Sequence, residues 1–314
     1  MAAVTLAVEL LLMNCIGIFI YKSGVANSDF VSRLTNFVMK FCIPCLIFNS
    51  ISSATAFSME ALANCAVVVV LGAAAILLSL GLGQIGCLLT GGNGVGRILR
   101  YGLTFCHFSF MGIPMIEALL GEMGTFYYSF FLLPVRVAYY ALSEPLMTPK
   151  ELRGGKKNLK KTLHDTVLNP CMIAVAAGVV FWIAGWRLPT AVNYCVKTMS
   201  AISSPLALLL CGMIIAQYDF RQLLRPKYLF VPLLRAVLMP AVFFTAARLL
   251  RRMGVDGLIC DMLVIYSALP VGSLLPVYAV RYDPDPENHL TAAAASMISV
   301  LLSAVTLPVC YLLL

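Results

Sequence analysis

The sequence is poor in charged residues. Of its 314 residues, 11% are Asp, Glu, Lys or Arg, whereas 61% are hydrophobic. A soluble globular protein carries roughly 25% charged and about 45–50% apolar residues, so this composition excludes a water-soluble chain and indicates one that lies in a lipid bilayer. Because a helical span takes about 20 residues, ten spans with short connections nearly fill the chain. No room is left for a large soluble domain.

The sequence also lacks the residue clusters that enzymes and metal centres use. Its 11 cysteines are spread singly through apolar segments, which indicates packing rather than disulfide bonding. Cys42 and Cys45 match the C-x-x-C spacing but lie outside the thioredoxin-like context of that motif. The acid-rich stretch at 282–289 has no second cluster beside it and indicates a solvated turn. We expect no enzymatic activity, no cofactor and no metal.

Ten apolar segments predict the membrane spans, and their boundaries are approximate. The segments are 2–20, 31–52, 61–89, 98–120, 124–146, 164–185, 192–216, 228–249, 258–280 and 289–313. The longest connection is a basic stretch near the middle of the chain. We therefore divide the sequence into a first five-helix repeat at 1–147, a basic loop at 148–163 and a second five-helix repeat at 164–314.

Lys and Arg are distributed unevenly between the two sides of the predicted membrane. With ten spans, most of the basic residues in connections fall on the side that carries the central loop. Basic residues favour the cytoplasmic side, so we expect this loop in the cytoplasm and both termini outside the cytoplasm, in a plasma or inner membrane. The net charge of +8 is then explained by contact with anionic headgroups, without nucleic acid as a partner.

Prolines recur at similar spacing in the two halves. The three pairs are Pro44 with Pro205, Pro114 with Pro270, and Pro134 with Pro308. This spacing predicts a five-span unit that occurs twice, and an odd number of spans inverts the second copy. The predicted fold is an all-α membrane protein with ten transmembrane helices in two inverted five-helix repeats. Helices four and nine are broken at Pro114 and Pro270 and cross near the midplane.

The broken helices predict a polar cavity, because backbone groups freed inside a membrane are satisfied by protein or by cavity water. The N-termini of the second half-helices are expected to present unpaired N–H groups and a positive dipole end to this cavity. Two such ends favour an anion such as a carboxylate. The candidate substrate-binding residues are His107, Ser109, Gly112, Pro114, Ser267, Pro270, Asn49 and Ser204.

Ionisable residues inside the spans leave several interpretations open. His107 binds the substrate or couples protons, or else it hydrogen-bonds between helices. Glu117 faces either the cavity or the outer interface, and both Glu117 and Glu144 are candidates for proton coupling. Ion pairs within the bundle are the simplest explanation for the other charges: Glu9, Arg136, Glu144 and Asp261. The long side chains of Lys40 and Arg235 are expected to reach the membrane surface.

Four segments together carry a resemblance to a known family. They are LTNFVMKFCIPCLIFNSISS at 34–53, HFSFMGIPMIEALLGEMG at 107–124, LNPCMIAVAAGVV at 168–180 and ALPVGSLLPVYAVRYD at 268–283. In this order and spacing the chain resembles the auxin efflux carrier family, which includes the plant PIN-type auxin transporters and many bacterial relatives. The short central loop is similar to that of the bacterial members.

The resemblance implies a scaffold of helices 1, 2, 6 and 7 and a mobile transport part of helices 3–5 and 8–10. It also implies elevator-type alternating access, a homodimer, and an anionic substrate bound where helices four and nine cross. The family often has Asn seven residues before the first crossover proline, at a substrate-carboxylate contact, and His107 stands there in this chain.

We therefore predict a secondary transporter of small organic anions, either auxin-like acids or dicarboxylates. Two alternatives stay open. One is a sodium-coupled symporter of the bile-acid type, which shares the inverted five-span plan. The other is a membrane sensor or receptor without transport.

Overall fold

The computed structural model describes residues 2–54, 59–149, 168–217, 225–272 and 274–314. In these ranges every regular element is a helix. Most of the predicted basic loop, from 150 to 163, lies outside the described residues, and so does the side chain of Glu9. The all-helical class is therefore confirmed for the part of the chain that the structure describes.

The described residues of the first half of the chain form six α-helices and one π-helical turn. They are α1 (Ala2–Lys22), α2 (Ser28–Phe37), a π-turn (Val38–Cys42), α3 (Ile43–Ser52), α4 (Met59–Leu89), α5 (Gly94–Thr104) and α6 (Gly112–Met147). The helix from α2 to α3 does not break at Pro44. Because proline has no N–H to donate, the turn before it widens into the π-turn, and the helix continues.

The second half, within the described ranges, forms seven α-helices and a short 3₁₀ turn. They are α7 (Pro170–Ala184), α8 (Thr190–Ala201), α9 (Ser203–Ala216), the 3₁₀ turn (Pro226–Tyr228), α10 (Phe230–Arg252), α11 (Gly257–Ala268), α12 (Leu275–Tyr282) and α13 (Pro286–Leu313). Pro205 lies in the first turn of α9. Pro308 lies inside α13, as Pro134 lies inside α6, and neither helix breaks there.

Asn and Asp side chains fix where several helices begin. Asn93 accepts a hydrogen bond from the Gly96 N–H at 2.9 Å, and Asn169 accepts one from the Cys171 N–H at 2.9 Å. Asp256 does the same for the N–H of Leu258 at 2.8 Å. These N-caps satisfy N–H groups that the first turn leaves without an intrahelical partner.

Five helical segments in the described ranges are long and apolar enough to cross a membrane. They are Ser28–Ser52, Ala61–Leu89, Thr190–Ile214, Phe230–Arg252 and Pro286–Leu313. Shorter apolar helices lie at Leu12–Lys22, Pro170–Ala184 and Gly257–Ala268. Large apolar side chains on their outer faces are exposed, as Val70 on α4 and Val237 on α10 show. A helix with an exposed apolar face is suited to contact with lipid.

The helices pack in two sets of contacts. In one set, α1 packs against α9, and α3 packs against α7 and α8. In the other, α4 packs against α5 and α6, while α10 packs against α11 and α13. Helix α6 turns at Gly121, whose φ of 68° favours glycine. Across this turn, the Thr125 hydroxyl donates to the Glu117 carboxylate.

Candidate functional site

Two breaks in the helices cross each other in the interior of the protein. The first break separates α5 from α6, and the second separates α11 from α12. Where they cross, Cys106 and Val271 form an antiparallel β-bridge. The His107 N–H donates to the Pro270 carbonyl at 2.8 Å, and the Gly272 N–H donates to the Phe105 carbonyl at 3.0 Å. The crossing thus satisfies backbone groups that the breaks remove from their helices.

The two prolines predicted to break helices lie at different places relative to the breaks. Pro270 lies inside the second break, as predicted. Pro114 lies beyond the first break, in the first turn of α6. A proline fits there because the first turn of a helix has no intrahelical acceptor for its N–H groups. The first break therefore comes earlier in the chain than the proline indicated.

Two serines of α13 hold the second break in place. Ser299 Oγ accepts a hydrogen bond from the Val271 N–H at 2.9 Å. Ser296 Oγ donates to the Gly272 carbonyl at 3.2 Å. Both serines are buried. Neither serine was predicted from the sequence, although their position in an alanine-rich run indicates close packing against a neighbour.

Arg235 on α10 lies directly against the crossing. Its guanidinium donates to the carbonyl of Gly102 at 3.0 Å and to that of Leu103 at 2.7 Å, and it reaches the Leu269 carbonyl at 3.4 Å. Its exposed fraction is only 2%. The expectation that this side chain reaches the membrane surface is wrong, because the carbonyls at the ends of α5 and α11 bind it in the interior.

A cavity of about 300 Å³ adjoins the crossing. The first break lines it with Cys106, His107, Phe108, Ser109 and Phe110, and the second break and α12 contribute Gly272, Leu274 and Tyr278. The remaining walls come from α2, the π-turn, α6, the start of α7 and α9: Thr35, Met39, Arg136, Tyr139, Tyr140, Asn169, Cys171 and Ile214. The cavity is thus a mostly apolar space with several aromatic side chains and a few polar groups, which is typical of small-molecule sites.

N–H groups described at the helix N-termini beside the cavity are bonded to carbonyls, whereas the sequence predicted unpaired donors there. The N–H groups of Gly112 and Ile113 donate to the carbonyls of His107 and Ser109, at 3.0 and 3.3 Å. At the start of α12, the Leu275 N–H donates to a carbonyl of the second break at 3.1 Å. Binding of an anion therefore depends on side chains.

Arg136 on α6 supplies a positive charge in the cavity wall. It is 2% exposed, and its Nη1 contacts the Met172 sulfur at 3.9 Å, which is a weak interaction. Among the described residues, its Nη2 is buried without a hydrogen-bond partner. The expected ion pair is therefore not found for Arg136 in the described ranges, whereas Asp261 does form one, with Arg251. A buried charge without a partner is unfavourable until an anion reaches it.

Polar side chains extend from Arg136 along one wall. Tyr140 lies one helical turn beyond Arg136 on the same face of α6. The Asn169 amide donates to the Tyr140 hydroxyl at 2.6 Å, which fixes both groups at the cavity. Across the first break, the His107 ring stacks on Phe110 with 5.5 Å between ring centroids. These groups offer donors and acceptors beside the guanidinium.

The structure places some of the predicted substrate-binding residues at this cavity. His107 and Ser109 line it. Pro270 does not line the described cavity, but its carbonyl accepts the hydrogen bond from the His107 N–H at the crossing. Gly112 does not line it either. A Cβ at Gly112 would lie 2.5 Å from the Tyr128 hydroxyl. Glycine is thus required there for close packing.

The other predicted site residues lie outside the described lining of the cavity. Ser267 donates to the Val264 carbonyl at 2.6 Å, within α11. Asn49 accepts from Ser53 at 3.4 Å on α3. Three more residues lie on α9 and α6 and likewise do not line the cavity: Ser204, Glu117 and Glu144. Their roles in substrate binding or proton coupling stay predictions.

An ion pair joins the outer ends of the two crossed helices. Arg97 at the start of α5 donates to Asp283, which follows α12, at 2.6 Å. The Asn288 amide donates to the same carboxylate at 3.0 Å. Burial alone raises the pKa of Asp283, but the hydrogen bonds from Asn288 and Arg97 outweigh it, and the pKa lies below its usual value. The acid-rich turn is thus a structural link, and the prediction of a solvated turn is wrong for Asp283, which is buried by its contacts with Arg97 and Asn288.

Comparison with known proteins identifies the family of the chain. The family described as membrane transport protein matches residues 2–311, nearly the whole chain. No curated protein matches the chain. The match and the long apolar helices agree on a multi-pass membrane protein. The chain therefore belongs to the membrane transport proteins of the auxin efflux carrier family.

Proposed function

We propose that this membrane transporter is a secondary transporter of small organic anions, with the cavity beside the crossing as its substrate site. The observation that carries the proposal is the Arg136 guanidinium, which is buried in the cavity wall with one nitrogen unpartnered among the described residues. A guanidinium matches the geometry of a carboxylate and binds it through two parallel hydrogen bonds.

The rest of the lining fits a molecule with one anionic end and an apolar body. Phe108, Phe110 and Tyr139 present aromatic surface, while His107 and Tyr140 add hydrogen-bonding groups near the charge. The volume of about 300 Å³ suits a small molecule. Auxin-like acids and dicarboxylates both satisfy these conditions.

The position of the cavity supports elevator-type alternating access. One wall comes from the crossing and α6, which belong to the proposed transport part. The opposite wall comes from Thr35, Met39 and Ile214, which belong to the proposed scaffold. The packing of α1 with α9 and of α3 with α7 supports the same division. A substrate held between the two parts is carried when one slides against the other.

The paired prolines support two inverted five-helix repeats. Pro114 and Pro270 both lie close to a helix break, whereas the helices continue without a break at Pro134 and at Pro308. In this arrangement α5 with the start of α6 corresponds to α11 with α12. The proposal includes ten spans, both termini outside the cytoplasm, and a homodimer formed through the scaffold helices.

Transport by the purified protein in liposomes tests the proposed function. A panel of monocarboxylates and dicarboxylates is offered while sodium, pH and membrane potential are varied separately. We expect saturable transport of at least one acid and a dependence on potential or pH, because an anion is moved. Arg136→Gln is expected to abolish it, and Arg33→Gln, a change of an exposed arginine on α2, serves as the matched control.

The outcomes separate the alternatives. Transport that stops without sodium would favour a symporter of the bile-acid type. Specific binding of an acid without any flux would favour a sensor. Equal transport by Arg136→Gln and the wild type would contradict the proposed site.

A further inference from the structure

Arg235 lies where the C-termini of two half-helices meet. Its guanidinium donates to two carbonyls at the end of α5, those of Gly102 and Leu103, and reaches the Leu269 carbonyl at the end of α11. A helix C-terminus carries a partial charge of about −0.5, so two such ends present about one negative charge. One guanidinium neutralises this charge.

The same arrangement of carbonyls is a cation site in other transporters. Half-helix C-termini and unwound carbonyls at a helix break coordinate the coupling ion in many secondary transporters. In this chain a side chain fills that position. The guanidinium stays charged at every physiological pH and offers five N–H donors in a plane, which suits several carbonyls at once.

We propose that Arg235 is a tethered cation that takes the place of a mobile coupling cation at the crossing, so that the carrier moves its anion without sodium. The inference about sodium rests on the proposed transport function, whereas the assignment of Arg235 does not. Because the charge is covalently attached, it stays at the crossing throughout the transport cycle, and the transport part contributes its own fixed counter-charge.

The described residues around Arg235 include no carboxylate that would compete with the carbonyls. In the described ranges the guanidinium makes no ion pair with a carboxylate, and its Nε has no hydrogen-bond partner. The side chain is 2% exposed. It comes from α10, outside the two broken helices, so it connects three elements at one point.

Removal and chemical replacement of the cation test the assignment. Arg235→Ala and the wild type are purified in detergent, and their melting temperatures are measured in choline, sodium and guanidinium salts far below denaturing concentrations. We expect Arg235→Ala to melt several degrees lower than the wild type and to regain part of this loss in guanidinium. Sodium is expected to leave the wild type unchanged. Arg248→Ala, an exposed arginine of α10, is the matched control.

Two substitutions keep the test decisive if Arg235→Ala fails to fold. Arg235→Lys keeps the charge, and Arg235→Met keeps much of the volume without it. We expect the melting temperature to fall in the order Arg, Lys, Met. Three results would overturn the assignment. Arg235→Lys and Arg235→Met would melt at the same temperature, guanidinium would raise the melting temperature of the wild type as much as that of Arg235→Ala, or Arg235→Ala would melt at the temperature of the wild type.

Transport measurements separate this inference from the proposed function. With a transported acid, replacement of sodium by choline should leave the wild-type rate unchanged, and a strict sodium requirement would overturn the inference. If the wild type transported no organic acid, the proposed function would fail, while the melting experiment would still decide whether Arg235 is the cation of the crossing.

Discussion

Two arginines, one at the cavity and one at the crossing, have the same 2% exposure but different surroundings. Arg235 is bound by carbonyls of two helix ends. Arg136 faces the cavity with a weak contact to a methionine sulfur and an unpartnered nitrogen among the described residues. Arg235 also keeps one unpartnered nitrogen in the described ranges, its Nε, but both of its terminal nitrogens donate to carbonyls. The terminal nitrogens of Arg136 have only the methionine sulfur there.

The comparison shows that burial alone does not tell a structural charge from a binding charge. A buried guanidinium whose terminal nitrogens bind several carbonyls stabilises the elements it connects, and its loss leaves those carbonyls without a donor. A buried guanidinium without a partner destabilises the empty protein and favours a ligand of opposite charge. Stability and transport should therefore respond in opposite ways when the two residues are changed.

The largest expected effect is that of Arg136→Gln on transport. Loss of one partner of a buried charged hydrogen bond costs about 2–5 kcal/mol, so uptake of the acid should fall at least about tenfold. The melting temperature should stay the same or rise, since an unpaired buried charge is removed. Flux assays and thermal melting of the same preparation check both parts. A variant that melts lower and still transports would reverse the comparison.

His107→Ala should have the next largest effect. The ring lines the cavity and stacks on Phe110, so its removal takes away a donor and part of the wall. We expect transport to fall about tenfold, in keeping with a hydrogen bond to a charged group of about 1.5–3 kcal/mol, while folding is kept. His107→Asn, which retains a neutral donor, should recover part of the rate. Wild-type transport by purified His107→Ala would refute this role.

Asp283→Asn tests the contact of a third arginine. Arg97 is bound by a buried carboxylate, that of Asp283. Its side chain is 1% exposed in the pair, so we expect a loss of unfolding free energy of about 1–3 kcal/mol. Because the pKa of Asp283 lies below its usual value, this stabilisation is present above pH of about 3.9 and is lost as the pH falls further. Melting of both proteins across acid pH measures it.

A double-mutant cycle provides the control for that prediction. Arg97→Gln and Asp283→Asn should lose less stability together than the sum of their separate losses, because they share one interaction. Strictly additive losses, or an acid-pH profile identical in the wild type and Asp283→Asn, would argue against the ion pair as the link.

The smallest effect belongs to an exposed arginine. Arg33 pairs with Asp29 on the surface of α2, where the side chains are 81% and 69% exposed. Exposed ion pairs contribute little to stability because water screens them. Arg33→Gln should therefore leave both melting temperature and flux unchanged. A marked loss of either would show that charge alone, rather than its surroundings, determines these effects.

The sequence predicted the helical class, a helix interruption near Pro114 and another at Pro270, and a cavity beside His107. These follow from local rules, because long apolar runs favour membrane helices and a proline removes a backbone donor from a helix. The prediction was least accurate at the first break, which precedes Pro114. There the backbone of Phe105 and His107 gains its partners from the second break, a contact between distant parts of the chain.

The roles of the two arginines could not be read from the sequence. Arg136 and Arg235 both stand in apolar runs, and the rules for such residues offered an ion pair for one and a reach to the surface for the other. Helix packing decides whether a buried side chain contacts carbonyls or lines a cavity. The predicted unpaired N–H groups depend on packing in the same way. Carbonyls of the breaks accept hydrogen bonds from the N–H groups of Gly112 and Leu275.

The most direct test of the central claim compares the transport of one organic acid with that of its primary amide, in liposomes that contain the wild type or Arg136→Gln. If the Arg136 guanidinium binds the substrate, the wild type transports the acid and not the amide, and Arg136→Gln loses the transport of the acid. Equal flux of acid and amide through the wild type, or an undiminished flux of acid through Arg136→Gln, would contradict the account.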